Sequence, residues 1–199
     1  MQQKLIAEFF GTATLAFTIL ASLSLMTQPA VTPLIAGLVL MLFVYSIGSI
    51  SGSHLNPAIT VGAWAIRKIS TKEAASYIVV QCLGGLAAYI LAVNLFADVS
   101  VTAGMTTESY TDFWAELLGM TVFSFGVASV MYKKTNPTAS GLVIGGSLTL
   151  GILLAGAAGS AGILNPAVGI TLGLVSLSNI AGALLGAILG MYLYRFLVR

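Results

Sequence analysis

The sequence predicts an all-α membrane protein with six spanning helices, two short re-entrant half-helices and an inverted internal repeat. Of its 199 residues, 58% are hydrophobic and only 7% are charged, against about 45–50% and about 25% in an average soluble domain. A water-soluble fold could not cover its surface with so few charges while burying so much apolar mass. The composition therefore indicates a protein embedded in a lipid bilayer.

Hydropathy gives the spans, because a helix that crosses a bilayer needs about 20 mostly apolar residues. The first such stretch follows Lys4; it is too long for the core of a signal peptide and lacks a convincing cleavage site, so we interpret it as a span. Two further apolar pieces, 54–66 and 164–175, are too short to cross and are predicted to enter and leave on one side. The six predicted spans are residues 5–25, 33–51, 74–97, 113–132, 139–158 and 177–197.

The charge distribution supports this topology. With six spans, all eight Lys and Arg fall on one side of the membrane, whereas the opposite loops contain Asp98, Glu108 and Asp112. By the positive-inside rule both termini are cytoplasmic. If the piece at 54–66 crossed fully, the three cations between 67 and 72 would change sides and the asymmetry would be lost. We therefore expect a multi-pass protein of a cell membrane, with short loops typical of a prokaryotic inner membrane.

The chain also contains an internal repeat. The sequence Ala-Glu-Phe-Phe-Gly at 7–11 returns as Ala-Glu-Leu-Leu-Gly at 115–119, and Asn-Pro-Ala at 56–58 returns at 165–167. Each half, about 1–98 and 112–199, carries three spans, so the second half must enter the membrane in the opposite orientation. We expect one domain over 1–199, with its functional site near the bilayer midplane between the halves.

The two Asn-Pro-Ala turns are predicted helix starts, since Asn favours the N-cap and Pro the first helical position. A helix start at mid-membrane leaves N–H groups without partners and a partial positive charge. Such backbone survives only inside protein or against a water-filled cavity. Two starts from opposite faces predict a polar passage in which Asn56 and Asn165 present amide donors to a solute, while the helix ends repel protons and cations.

These motifs resemble those of a known family. Residues 51–58 (Ser-Gly-Ser-His-Leu-Asn-Pro-Ala) resemble the first signature of the aquaporin, or major intrinsic protein, family, and 163–167 (Ile-Leu-Asn-Pro-Ala) resemble the second. The resemblance covers nearly the whole chain. It implies a helical bundle with one pore per subunit, usually a homotetramer, for passive passage of water or of water with small uncharged solutes such as glycerol, urea or ammonia. The motif residues are Asn56, Pro57, Ala58, Asn165, Pro166 and Ala167.

Glu8 and Glu116 are acids inside predicted spans, and an acid at that depth needs a physical reason. Each lies about one helical turn from a membrane surface, and the re-entrant loop of the same half enters the membrane from that surface. The resemblance implies that each accepts hydrogen bonds from the backbone of that loop. His54, two residues before Asn56, is expected to line the pore or brace the loop near the cytoplasmic entrance.

The chain departs from the family at its expected selectivity filter. Many aquaporins carry Arg directly after the second motif, where this chain has Val168, and glycerol-conducting relatives commonly add Asp, where it has Gly169. The residues at the expected filter positions are small and apolar, which predicts a pore wider than a water-only filter. One barrier to cations is lost, while the half-helix dipoles should still exclude ions. By spacing, the remaining filter positions fall on Ala36, on Ile152 or Leu153, and on Gly162.

Other functions remain open at this stage. A secondary transporter shares inverted repeats and broken helices, although carriers usually place ionisable residues at the midplane. A structural membrane protein with a closed pore is also compatible with the sequence. The single His and single Cys, without a metal cluster or a nucleophile–base pair, predict no enzyme and no cofactor. The basic residues are scattered through short loops, which gives no support for nucleic-acid binding.

Overall fold

The computed structural model describes residues 1–25, 29–96, 104–105 and 108–199, and within them the chain forms eight α-helices. Six are long and apolar enough to cross a membrane, and the other two are the short ones after each Asn-Pro. The six predicted spans are therefore confirmed. The helices are α1 (Gln2–Leu25), α2 (Thr32–Ser51), α3 (Pro57–Ala65), α4 (Thr71–Leu95), α5 (Tyr110–Met131), α6 (Ser140–Ala157), α7 (Pro166–Leu172) and α8 (Leu177–Leu197).

Several predicted bounds were wrong by a few residues. Helix α4 begins at Thr71 rather than 74, because the Ser70 hydroxyl accepts a hydrogen bond from the Glu73 N–H and caps the helix there. The half-helices start at their Asn-Pro steps and not at 54 or 164. Ala97 and Asp98, the end of the predicted third span and of the predicted first repeat, lie outside the described residues.

The second half-helix also ends earlier than predicted. Gly173 takes the left-handed conformation (φ 68°) and closes α7, as glycine commonly does at a helix end. The next two residues are not helical. They form strand β2 (Leu174–Val175), which pairs in parallel with β1 (Gly104–Met105), Gly104 opposite Leu174.

The two halves have the same order of elements: two long helices, one short and one long. Within each half, the first and last long helices pack together, α1 on α4 and α5 on α8, and α2 packs on α6 across the halves. Each half-helix contacts the last long helix of the opposite half, α3 on α8 and α7 on α4. The halves are thus interlocked around the half-helices.

Glycine allows the closest of these helix contacts. A Cβ atom added at Gly186 of α8 would lie 2.6 Å from the Leu117 carbonyl oxygen of α5, and one at Gly182 would lie 2.5 Å from the Phe113 carbonyl oxygen. Gly145 of α6 likewise lies directly against Gly37 of α2. Small residues spaced four apart let helix backbones approach in lipid, where hydrophobic driving force between helices is absent.

A carboxylate on the surface connects the starts of α5 and α8. Glu108 accepts hydrogen bonds from the N–H groups of Leu177 and Ser178, both at 2.8 Å, and from the Ser178 hydroxyl. These bonds favour the ionised form and hold the pKa of the Glu108 carboxyl below its usual range, the Ser178 hydroxyl contributing most. An acid at the N-terminus of α8 also complements the helix dipole.

We predict that Gly186→Ala destabilises the protein, because the added methyl would collide with α5. Forcing a methyl into a packed contact costs about 1–3 kcal/mol, and thermal unfolding in detergent measures the loss. The matched control is Gly146→Ala on α6, where an added Cβ meets nothing within 4 Å. The control should unfold at the same temperature or higher. Equal destabilisation by both substitutions would contradict the close packing of α5 on α8.

Candidate functional site

The two Asn-Pro-Ala turns begin helices α3 and α7 in the same way. Asn56 has an extended backbone (φ −158°, ψ 118°), and its side-chain oxygen accepts hydrogen bonds from the N–H groups of Ala58 at 2.8 Å and Ile59 at 3.4 Å. Asn165 does the same for Ala167 at 3.0 Å. Pro57 and Pro166 occupy the first helical positions, where a missing N–H costs nothing. Both asparagines are therefore N-caps, as the sequence predicts.

The same asparagines join the two loops. The Asn56 amide nitrogen donates to the Leu164 carbonyl at 2.9 Å, and the Asn165 amide nitrogen donates to the Leu55 carbonyl at 2.9 Å. Each side-chain amide carries two N–H donors. One is used in this exchange, which leaves one N–H on each asparagine for a solute. Both side chains are almost completely buried.

The accepting carbonyls lie in strained turns that sequence reasoning missed. Leu55 and Leu164 have φ values of 48° and 50°, in the left-handed region that non-glycine residues rarely occupy. Ser53 and Gly162, equivalent positions two residues earlier, also have positive φ. Such conformations cost on the order of 1–3 kcal/mol each and persist only where surrounding contacts hold them. Leucine carries no sequence signal for this geometry.

Glu8 is fully buried and accepts four hydrogen bonds, two of them from backbone N–H groups of the first loop. Its Oε1 accepts from the Ser51 hydroxyl at 2.6 Å and from the His54 N–H at 3.0 Å. Its Oε2 accepts from the Leu55 N–H at 2.7 Å and from the Gln81 amide at 2.9 Å. The backbone contacts are those that the resemblance implied, and Gln81 is a further partner contributed by α4.

Glu116 repeats the arrangement in the second half. It accepts hydrogen bonds from the Ser160 hydroxyl at 2.8 Å, the Ile163 N–H at 2.8 Å and the Leu164 N–H at 2.7 Å. Like Glu8, it is fully buried. Both intramembrane acids therefore have their oxygens occupied by donors of their own loop, which offsets the cost of burying a carboxylate.

His54 is buried between the first loop and α4. Its Nδ1 lies 3.1 Å from the Thr60 hydroxyl, and its ring meets the Tyr77 ring edge-on at 5.4 Å. The Tyr77 hydroxyl in turn donates to the Ser51 carbonyl at 2.7 Å. The same histidine also lines a cavity beside Asn56. Its position therefore suits both expected roles, lining the pore and bracing the loop.

Two adjoining cavities lead to the asparagines. A wide cavity of about 330 Å³ opens on the side where α2 begins. It shares four lining residues with a central cavity of about 10 Å³ between the asparagines, which is about the smallest volume that holds one water molecule. The central cavity is lined by Leu15, Ile19, Leu40, His54, Asn56, Phe123, Leu148, Ile152, Ile163, Asn165 and Val168.

The residues expected at the filter lie around the wide cavity. Ala36, Gly162 and Val168 all line it, and Val168 reaches the central cavity as well. Of the two candidates on α6, Ile152 lines both cavities. Leu153 lines only the wide one and is 51% exposed, so Ile152 is the nearer to the asparagines.

Comparison with known proteins fits this geometry. The family described as Major intrinsic protein matches residues 1–194. The chain belongs to the major intrinsic protein family. It is 31% identical to Aquaporin NIP3-1 of Arabidopsis thaliana over 183 residues, which cover 83% of this chain and 56% of that protein. It is 27% identical to Aquaporin Z of Photorhabdus laumondii over 75% of this chain and 74% of that protein.

A solved structure has the same fold. The X-ray structure of the aquaglyceroporin from Plasmodium falciparum superposes with a TM-score of 0.76, covering 98% of this chain and 94% of that one at 20% identity. At that identity the likeness concerns the fold. The chain spans 56% of the length of Aquaporin NIP3-1 and 61% of the length of Aquaporin NIP1-1. This major intrinsic protein is thus a multi-pass membrane protein with the family fold.

We predict that Glu8→Gln destabilises this major intrinsic protein. Glutamine keeps one acceptor oxygen and replaces the other with a donor, so the donors now bonded to one oxygen, Leu55 and Gln81, lose their acceptor. A buried unpaired donor costs about 1–3 kcal/mol, and chaotrope unfolding in detergent measures the loss. The control is Glu73→Gln, which removes the partly exposed ion pair with Lys4 and should cost about 1 kcal/mol or less. Comparable losses would contradict the role assigned to Glu8.

Proposed function

We propose that the chain is a passive channel for water and small uncharged solutes, formed by one domain over 1–199 whose halves, about 1–98 and 112–199, are inverted repeats. The observation that carries this proposal is the pair of asparagines, each with one amide N–H left over, at a cavity sized for one water molecule. A solute crossing there would leave bulk water and hydrogen-bond to these donors. The pore motifs are Asn56, Pro57, Ala58, Asn165, Pro166 and Ala167.

Selectivity by size would arise at the centre of this pore. The proposed filter of Ala36, Ile152, Gly162 and Val168 surrounds a cavity of about 330 Å³, and none of these side chains can hydrogen-bond. Leu153 stands at its edge. Polar solutes would therefore find most of their hydrogen bonds at backbone carbonyls in this region and at the two asparagines. Phe123 and Leu148, which line the central cavity, would set the width there.

Ion exclusion would come from the helix starts. Helices α3 and α7 contribute partial positive charges of about +0.5 each at their first turns, and both turns lie at the central cavity. A cation would also lose its hydration there without a carboxylate in compensation, since Glu8 and Glu116 are bonded to their loops. The same occupation of both acids supports a channel over an ion-coupled carrier.

Topology and assembly follow from charge and from the family. Both termini would be cytoplasmic, because the cations of the chain gather on their side of the bundle. The membrane would be a cell inner membrane. A homotetramer is the expected assembly, with lipid around it, and the helices expose many apolar side chains that could face lipid or neighbouring subunits.

Purified protein in proteoliposomes tests the channel directly. Stopped-flow light scattering under a sorbitol gradient should show water permeability above that of empty liposomes. Gradients of glycerol and urea, and an ammonia pulse, should show passage of at least one of these solutes. Water flow without any of the three would overturn the solute part of the proposal. Saturable uptake that depends on a sodium or proton gradient would indicate a carrier, and no permeability at all would overturn the channel.

We predict that Val168→Arg lowers solute flux more than water flux. The guanidinium would extend into the wide cavity and narrow it with a strongly hydrated, charged group, which obstructs larger solutes more than single water molecules. Val168→Met is the matched control, because it adds length without charge and should lower solute flux less. Glycerol, urea and water permeabilities are compared in the same liposomes. Equal loss of water and solute flux in the Arg variant would mean that Val168 is not at a constriction.

A further inference from the structure

Two arginines near the end of the chain and a third that is more than a hundred residues earlier line one groove of the structure. Tyr192, Arg195 and Phe196 lie at helical spacing in the last turns of α8, and Arg199 follows just beyond the end of that helix. Arg67 joins them from just beyond the end of α3. We name these five residues the arginine groove. It is an open cavity of about 380 Å³ on the side of the chain termini.

Fixed contacts hold the groove together. The Tyr192 hydroxyl donates to the Ala65 carbonyl at 2.9 Å and fastens α8 to the last turn of α3. Arg67 follows that turn, with its backbone in the left-handed conformation (φ 64°) and its N–H bonded to the Trp64 carbonyl at 2.9 Å. The Arg195 guanidinium carbon lies 5.7 Å from the centre of the Tyr192 ring. The arginines are therefore brought together by backbone and ring contacts rather than by an acid.

No carboxylate of the described residues forms a salt bridge with the arginine groove. The one salt bridge in the described part of the chain joins Lys4 to Glu73. Lys68 of the same face has other partners, because it lies 3.9 Å from the centre of the Tyr132 ring and donates to the Met131 carbonyl. In the part of the chain that the structure describes, the groove thus gathers three cations, none of which is in a salt bridge.

The partial negative charges of nearby helix C-termini offset only part of the positive charge of the arginine groove. A cation near a helix C-terminus complements a partial charge of about −0.5. Two such ends, those of α3 and α8, meet at the groove and together offset about one of its three positive charges. A net positive charge remains, which an external anion would neutralise.

The shape and position of the groove select the anion. The planar guanidinium fork fits phosphate oxygens in bidentate pairs. Beside the arginines, Phe196 is 79% exposed and Leu197 is 68% exposed, so an apolar surface continues from the charges along α8. We propose that the arginine groove binds the phosphate of an anionic phospholipid, with its acyl chain against α8. Basic pockets between spanning helices on the cytoplasmic side have this property in general, and the proposal goes beyond the channel function.

Native mass spectrometry of the full-length protein in detergent tests the site. Phosphatidylglycerol and phosphatidylcholine are added at equal concentration, and bound lipid is counted for the wild type and for the double variant Arg67→Gln/Arg195→Gln. The wild type should retain phosphatidylglycerol in preference. The variant should bind it about 30-fold more weakly, at about fivefold per arginine near an anionic surface. Unchanged retention in the variant would overturn the proposal.

Three controls distinguish this site from its alternatives. Lys133→Gln/Lys134→Gln removes two exposed cations from the same face and should leave retention unchanged; an equal loss there would overturn the proposal in favour of general charge attraction. Retention that inorganic phosphate abolishes at millimolar concentration would overturn the lipid assignment in favour of free phosphate. The water permeability of the double variant in phosphatidylcholine liposomes should match that of the wild type. If the double variant unfolds, Arg195→Lys replaces it; this variant keeps the charge and should still bind phosphatidylglycerol more weakly.

Discussion

The whole structure depends on one constraint: lipid offers no partner to a polar backbone group, so every N–H and C=O at mid-membrane must be satisfied within the protein. The two re-entrant loops interrupt helical hydrogen bonding in the middle of the bilayer, where no water can replace the missing bonds. Glu8 and Glu116 satisfy the loop N–H groups, and the exchanged amides of Asn56 and Asn165 satisfy two loop carbonyls. The asparagines then face the central cavity with one donor each left over.

Packing makes the arrangement rigid enough to hold strain. The half-helices lie against the last spans of opposite halves, and glycine contacts such as Gly85 on Ala167 and Gly186 on Leu117 allow the backbones to touch. The left-handed turns at Leu55 and Leu164 are held within this frame. The chain thus stores local strain at its centre and offsets it with close contacts between the long helices.

Patterns within short stretches of the sequence predicted much of this structure, but they did not predict contacts between residues that are far apart in the chain. Hydropathy and charge asymmetry placed the six spans, and the capping preferences of Asn and Pro placed the starts of α3 and α7. The end of α7 was missed because a C-terminal glycine at Gly173 is a weak signal inside an apolar run. Gln81 was missed because its partner Glu8 is 73 residues away, and spacing alone could not choose between Ile152 and Leu153. Whether these residues govern permeation stays a prediction.

The amide exchange between the loops also orders assembly in time. Asn56 finds its acceptor 108 residues later in the chain, and Asn165 finds its acceptor 110 residues earlier. During synthesis the first loop can donate its hydrogen bonds to Glu8, but its Asn56 amide stays unmatched until the second half has entered the bilayer. The hydrogen bonds between the two loops at the central cavity can therefore form only after the second half has been synthesised.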